Sequence, residues 1–117
     1  MNNFVVHSAE LSPSVAVIHI EGFFSGSAGE SLAGTARALL TKGFTKLILE
    51  FSLCKIITSP GLAHLLQILM EAIDDFKGEI IFSGLDRQKT LLMDMTGILP
   101  MADTAANLEE AKKKLLG

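Results

Sequence analysis

The sequence predicts an α/β fold: a mixed, largely parallel sheet with an N-terminal antiparallel hairpin, covered by about four helices. Three observations predict it. Two segments rich in β-branched residues stand side by side near the N-terminus, strand and helix patterns alternate after them, and glycine, proline or serine marks the changes of pattern. A short link makes neighbouring strands antiparallel, whereas strand–helix–strand alternation implies right-handed crossovers between parallel strands.

The N-terminal part predicts a hairpin followed by a helix. We expect a strand over residues 4–11, a Ser-Pro-Ser turn, and a β-branched strand over 15–20 that ends at Gly22. A small polar loop over 25–29 leads into a helix that stops at Gly43. Apolar residues recur at helical spacing in that helix: Leu32, Ala36, Leu39 and Leu40.

The central part predicts a buried strand and the best-defined helix of the chain. Residues 46–51 are the strand, and a linker over 52–58 follows it. The helix begins at Ser59 and ends at Gly78. Intervals of three and four residues separate the members of its apolar stripe: Leu62, Leu65, Leu66, Leu69, Ile73 and Phe76.

The C-terminal part continues the alternation. Residues 79–83 form a strand, and Asp86 begins a helix that stops at Gly97. Residues 102–106 form a short strand, and Asn107 caps a final helix. Functional loops of parallel sheets gather where strands end and helices begin, which directs attention to residues 22–29 and 52–61.

Composition excludes several classes of function. A chain of 117 residues suits a single domain spanning 1–117. The net charge is −3 and the 10 basic residues are scattered, so we expect no nucleic-acid surface. No apolar run is long enough to span a bilayer, and the N-terminus lacks a signal-peptide pattern. The single cysteine, Cys54, cannot form an internal disulfide, so we expect a cytoplasmic protein.

No catalytic or metal-binding pattern stands out. The three histidines, His7, His19 and His64, belong to different elements, and helical geometry turns His64 about 140° away from Ser59. No phosphate-binding glycine loop is present. We expect a solvated face from the acidic residues Glu71, Asp74 and Asp75. The sequence therefore predicts no catalysis, no metal and no cofactor.

The start of the central helix, Ser59-Pro60-Gly61, allows two interpretations. Ser59 can be an N-cap, with Pro60 at the first helical position, and contribute about 1 kcal/mol of stability. Alternatively, a phosphate on Ser59 would meet the positive end of the helix, held by the amides of Gly61 and Leu62. In that case Gly61, which has no side chain, would allow another protein to approach the helix start closely.

The same segment resembles the STAS domain (sulphate transporter and anti-sigma-factor antagonist). Leu-Ile-Leu-Glu-Phe-Ser over 47–52 and Ile-Ile-Thr-Ser-Pro-Gly-Leu-Ala-His-Leu-Leu over 56–66 are similar to the family's strand end and helix start. Residues 15–22 resemble its second strand with a closing glycine. Residues 85–99, with Met-Thr-Gly-Ile over 95–98, resemble its later helix. The resemblance extends over nearly the whole chain.

The resemblance implies a phosphorylation-controlled switch. Ser59 would be the phosphoacceptor, with Thr58 as the alternative. A partner that is both serine kinase and anti-sigma factor would phosphorylate it, and a PP2C-type phosphatase would reset it. The partner would bind two segments: Thr58, Ser59, Pro60, Gly61 and Leu62 at the helix start, and Gly22, Phe23, Phe24 and Ser25 in the loop.

Two other functions stay open. The chain has Thr58 where the family has an acidic residue, which favours a non-phosphorylated scaffold subunit of a larger signalling or transport complex. The third possibility is a small-ligand or nucleotide sensor that uses the same crevice.

Overall fold

A computed structural model of the chain describes residues 3–116 and confirms the predicted α/β class. Strands and helices alternate after an initial hairpin. The elements are β1 Phe4–Glu10, β2 Val15–Phe24, α1 Gly26–Thr41, β3 Lys46–Glu50, β4 Cys54–Ile57, α2 Ser59–Met70, β5 Glu79–Ser83, α3 Arg87–Met95, β6 Asp103–Ala105 and α4 Leu108–Leu116. A π-helical turn, Glu71–Asp75, continues α2, and a 3-10 turn, Leu99–Met101, precedes β6.

The sheet has the order β1-β2-β3-β5-β6. β1 and β2 are antiparallel, with His7 directly opposite His19, whereas the β2–β3, β3–β5 and β5–β6 pairs are parallel. This arrangement confirms the N-terminal hairpin and the largely parallel remainder. It follows from the short Ser-Pro-Ser link on one side and helical crossovers on the other.

The segment predicted as a linker contains a strand. β4 pairs in parallel with the last residues of β2, and the Gly22 N–H donates to the Leu53 carbonyl at 2.9 Å. Because β4 supplies hydrogen-bond partners there, β2 continues to Phe24 and does not end near Gly22 as expected. A four-residue strand whose partner residues lie more than 30 positions earlier in the chain has little local signal, so the sequence interpretation missed it.

Two apolar cores lie on opposite faces of the sheet. The larger one packs α1, α2 and α3 against β2, β3 and β5. The smaller one lies under α4, around Val17, Ile48, Ile81 and Ala111. None of the helices between residues 3 and 116 has the combined length and apolarity that crossing a bilayer requires.

Several predicted helix ends are confirmed. Gly43 and Gly97 follow their helices with φ of 100° and 78°, in the left-handed region that favours glycine. The side chains of Asp86 and Asn107 cap α3 and α4, accepting from the N–H groups of Lys89 at 2.8 Å and Glu110 at 2.9 Å. The start of α2 differs from the prediction.

Candidate functional site

The two segments singled out in the sequence meet at one edge of the sheet. Since β2 and β4 are parallel, both end at this edge, and α1 and α2 both begin there. The helix starts touch: a Cβ built on Gly26 would lie 3.2 Å from the Cβ of Pro60. The structure therefore brings residues 22–29 and 52–61 together, as the predicted parallel topology requires.

Thr58, and not Ser59, caps α2. The Thr58 Oγ1 accepts a hydrogen bond from the Gly61 N–H at 3.3 Å and donates one to the Phe24 carbonyl at 3.0 Å. Its backbone is extended, with φ −100° and ψ 162°, whereas Ser59 is already helical. Serine and threonine are both good caps, so the sequence could not decide between adjacent positions. The bond to Phe24 decides it.

Ser59 is exposed at the first position of α2. Its hydroxyl makes no hydrogen bond with any residue between 3 and 116. Pro60 beside it is exposed as well. The first turn of α2 contains no acidic side chain that would neutralise the positive end of the helix dipole. Ser59 thus presents an exposed hydroxyl at the N-terminal, positive end of the α2 dipole.

Gly61 and Leu62 lie inside the fold, which corrects the prediction that they meet a partner. A Cβ on Gly61 would lie 2.3 Å from the Phe24 carbonyl oxygen, so the missing side chain allows α2 to approach β2 closely. Leu62 belongs to the larger core. Their amides donate to the Oγ1 and carbonyl oxygen of Thr58, so in this structure neither amide is free to hold a phosphate.

The predicted contact residues of the loop divide by burial. Phe24 is fully buried and packs edge-on against Phe51, with ring centroids 5.8 Å apart, so its assignment to a partner surface is wrong. Gly22 and Phe23 are half-buried. Ser25 caps α1 by accepting from the Ala28 N–H at 3.3 Å. Phe23 remains the apolar side chain of this loop that has partial exposure.

A buried carboxylate, missed by the sequence interpretation, shapes the turn before β4. Glu50 accepts a hydrogen bond from the Ser83 hydroxyl at 2.5 Å and one from the Ser52 N–H at 2.6 Å. Gly84, at φ 73°, packs against it, and a Cβ there would lie 2.6 Å from Glu50 Oε1. A glutamate that ends an otherwise apolar strand pattern was the available signal. Its role is to fix the course of the chain towards the site.

Cys54 is buried at the start of β4, as a small apolar residue would be. Burial raises the pKa of its thiol, and the nearby Lys89 ammonium opposes this shift without cancelling it. The Lys89 ammonium is paired with Asp86 at 2.6 Å. The side-chain hydrogen bond from Lys89 lowers the pKa of the Asp86 carboxyl. Cys54 is therefore held as a neutral thiol.

The histidines serve packing and surface contacts. His7 stacks on His19 with ring centroids 4.6 Å apart, and its Nε2 lies 3.0 Å from Glu21 Oε2. His64 packs where α2 crosses α1, since a Cβ on Gly29 would lie 2.7 Å from the His64 Cβ. Within residues 3–116, no group of three or more histidine, cysteine or acidic side chains is placed to hold a metal ion.

Comparison with solved structures identifies the fold. The unphosphorylated form of the anti-sigma factor antagonist SpoIIAA matches with a TM-score of 0.81 over 97% of this chain and 97% of that chain, at 18% identity. An anti-sigma factor antagonist from Mycobacterium paratuberculosis matches with 0.80, over 99% and 97%, at 16% identity. An antisigma-factor antagonist STAS domain from Rhodobacter sphaeroides matches with 0.53, over 69% and 86%, at 18% identity. The chain has the STAS fold.

No protein-family model matches the sequence, and no curated protein matches it. The likeness to STAS domains is one of backbone architecture, because the sequence identities are low. It confirms the resemblance that the segments at 47–52 and 56–66 predicted. In this STAS fold the helix start with Ser59 and the loop with Phe23 lie side by side at the carboxyl edge of the sheet.

Proposed function

We propose that this chain is a phosphorylation-controlled interaction switch of the anti-sigma-factor-antagonist type, with Ser59 as phosphoacceptor. Its partner would be an anti-sigma factor with serine-kinase activity, and a PP2C-type phosphatase would reset it. The chain itself would bind without catalysing a reaction, in the cytoplasm. The observation that carries the proposal is the exposed Ser59 hydroxyl at the start of α2.

Hydrogen bonding distinguishes the two candidate phosphoacceptors, Ser59 and Thr58. The Thr58 hydroxyl is half-buried and engaged twice, as donor to Phe24 and as acceptor from Gly61. Phosphorylation there would break both bonds and uncap α2. Ser59 can accept a phosphate without losing a contact within the described chain. The structure therefore favours Ser59 over the alternative acceptor.

Electrostatics supports a switch that acts without unfolding. A phosphate brings about 1.5–2 negative charges at neutral pH. The positive end of the α2 dipole favours such charge, and no acidic side chain in the first turn competes with it. SpoIIAA in its phosphorylated form has the same fold as this chain, with a TM-score of 0.75 over 95% of this chain and 99% of that chain, at 18% identity. Phosphorylation would change the charge that a partner meets and leave the backbone intact.

The deciding experiment is the intact mass of the chain purified from its own cells, before and after phosphatase treatment. We expect a species heavier by one phosphate, which phosphatase removes and fragmentation assigns to Ser59. Ser59→Ala abolishes it. Ser27→Ala, at an exposed serine in the first turn of α1, is the matched control and leaves it unchanged. A phosphate on Thr58, or one that persists in Ser59→Ala, contradicts the proposal.

The proposed switch predicts different affinities of two Ser59 variants for the partner. With the kinase-type partner, Ser59→Asp binds more weakly because it keeps a negative charge at the contact, and Ser59→Ala stays bound in the presence of ATP. Equal affinities of the two variants for the partner would refute charge control at this site.

A non-phosphorylated scaffold is the second candidate. The observation that favours it is Thr58, which occupies the position of the family's acidic residue and ties α2 to β2 through Phe24. If the chain is such a scaffold, incubation with ATP and its cognate kinase adds no phosphate. The variants Ser59→Asp and Ser59→Ala then assemble equally well into the larger complex.

A further inference from the structure

Exposed apolar side chains gather on one face of α3. Leu91 is 52% exposed and Met95 is 83% exposed. At about 100° per residue, they share a face with Gln88 and Leu92, and these four residues are called the α3 stripe. Ile56 on β4, 50% exposed, continues it, since a groove of about 200 Å³ between β4 and α3 is lined by Ile56 and Leu92. Large exposed apolar side chains grouped in this way are a candidate contact site.

Two opposite charges border the same stripe. Arg87 and Asp94 are both exposed, and neither forms an ion pair with another residue between 3 and 116. They lie on one flank of α3, next to Leu91, because seven residues are close to two helical turns. Their separation along the axis is about 10 Å, too far for a direct contact within the helix. Each therefore lacks an ion-pair partner within the described part of the chain, residues 3–116.

A second copy of the chain would supply both partners. If two α3 helices pack antiparallel about a two-fold axis near Leu91, each Arg87 lies beside the Asp94 of the other copy, on the same flank. Each Met95 then packs on Gln88 and Leu91 of the other helix. The axis converts one unpaired cation and one unpaired anion into two equivalent ion pairs. A parallel pairing would instead place like charges together.

We propose that the α3 stripe is a homodimer contact, formed by antiparallel packing of α3 against α3 of a second copy with reciprocal Arg87–Asp94 pairs. This proposal goes beyond the switch function and does not depend on phosphorylation of Ser59. Other charges close to the contact are compatible with it. Lys89 is satisfied by Asp86, and Lys55 lies on the opposite flank, towards β4.

Sedimentation equilibrium of the full chain tests the contact. We expect a concentration-dependent monomer–dimer equilibrium, which the double variant Leu91→Gln with Met95→Gln weakens by about tenfold or more. Met70→Gln, at a 49% exposed methionine of α2, is the matched control and leaves the equilibrium unchanged. A chain that stays monomeric at every concentration, or a dimer insensitive to the α3 variants, overturns the proposal.

Charge exchange tests the geometry. Arg87→Asp and Asp94→Arg each place like charges together and weaken the dimer, whereas the combined variant restores reversed pairs and recovers the original affinity within about twofold. If the double variant dimerises as weakly as the single variants, antiparallel packing is contradicted. Thermal unfolding of each variant monitors the fold, and all these positions are exposed.

Cross-linking distinguishes a second copy from a different protein. The native cysteine is buried, so Leu91→Cys introduces a single accessible thiol near the expected axis. Oxidation of the purified chain gives a disulfide-linked dimer, and Met70→Cys under the same conditions does not. Failure of Leu91→Cys to cross-link with itself contradicts self-association through the α3 stripe.

Discussion

The hydroxyl of Thr58 donates a hydrogen bond to the carbonyl oxygen of Phe24, 3.0 Å away, and ties the start of α2 to the end of β2. The backbone N–H of Thr58 donates to the same oxygen at 3.1 Å, and Gly61 packs against it. This carbonyl therefore organises the helix start. With Thr58 occupied by these bonds, the next hydroxyl along the chain, that of Ser59, is the one left exposed.

Replacing Thr58 by alanine should destabilise the fold. The variant loses the N-cap bond to Gly61 and the bond to Phe24, so we expect the free energy of unfolding to fall by about 1–2 kcal/mol. Urea denaturation followed by circular dichroism measures it. Thr58→Ser keeps both bonds and should lose much less, and Ser59→Ala should stay within about 0.5 kcal/mol of the parent chain. If Ser59→Ala loses more unfolding free energy than Thr58→Ala, then Ser59 and not Thr58 is the N-cap of α2.

Gly61→Ala should be destabilising although alanine favours helices. The added methyl group would overlap the Phe24 carbonyl and lie 2.9 Å from its ring, which forces α2 away from β2. We expect a loss of about 1–3 kcal/mol in the free energy of unfolding. Gly34→Ala is the matched control, because a Cβ there meets nothing within 4 Å and should stabilise α1 by up to about 1 kcal/mol. If both substitutions stabilise, the close approach of Gly61 to Phe24 is incorrect.

Ser59→Asp should leave the fold at least as stable as the parent. An anionic side chain at the first helical position interacts with the α2 dipole, and we expect a gain of about 0.3–1 kcal/mol at low salt that shrinks as salt is added. Ser27→Asp in α1 should behave similarly, since it is also exposed in a first turn without acidic residues. A cooperative loss of structure in Ser59→Asp would mean that phosphorylation acts by unfolding and not by surface charge.

Asp86 should contribute a stability that disappears in acid. Its hydrogen bond with Lys89 lowers the pKa of the folded carboxyl below its unfolded value. Such a group stabilises the fold at pH values above its unfolded pKa, and the contribution is lost as the pH falls through the lowered folded value. Asp86→Asn keeps a capping side chain but removes the charge. Urea denaturation at several pH values measures the free energy of unfolding of both chains. We expect that of the parent to be higher than that of Asp86→Asn at neutral pH, and the two values to converge in acid. A gap that widens in acid would contradict this assignment.

Features set by neighbouring residues were predictable from the sequence. The alternation of strands and helices, the glycine stops at Gly43 and Gly97, and the caps Asp86 and Asn107 depend on residues within one or two turns. Their physical causes, hydrophobic periodicity, left-handed backbone and capping of free amides, act locally. The pairing of the first two strands followed from a short link. These features predicted the mixed α/β class, and the resemblance of the segments at 47–52 and 56–66 to STAS domains predicted the particular fold.

Tertiary contacts decided what the site presents to solvent. Phe24 and Thr58 are 34 residues apart in sequence, and their hydrogen bond determines which residue caps α2. The same contact region buries Gly61 and Phe24, which sequence interpretation had assigned to a partner surface. The short strand β4 forms because the last residues of β2 supply its hydrogen-bond partners. The sequence by itself determined the elements and the candidate segment. Only the fold determined which side chains of that segment are exposed, because burial depends on distant partners that local patterns do not contain.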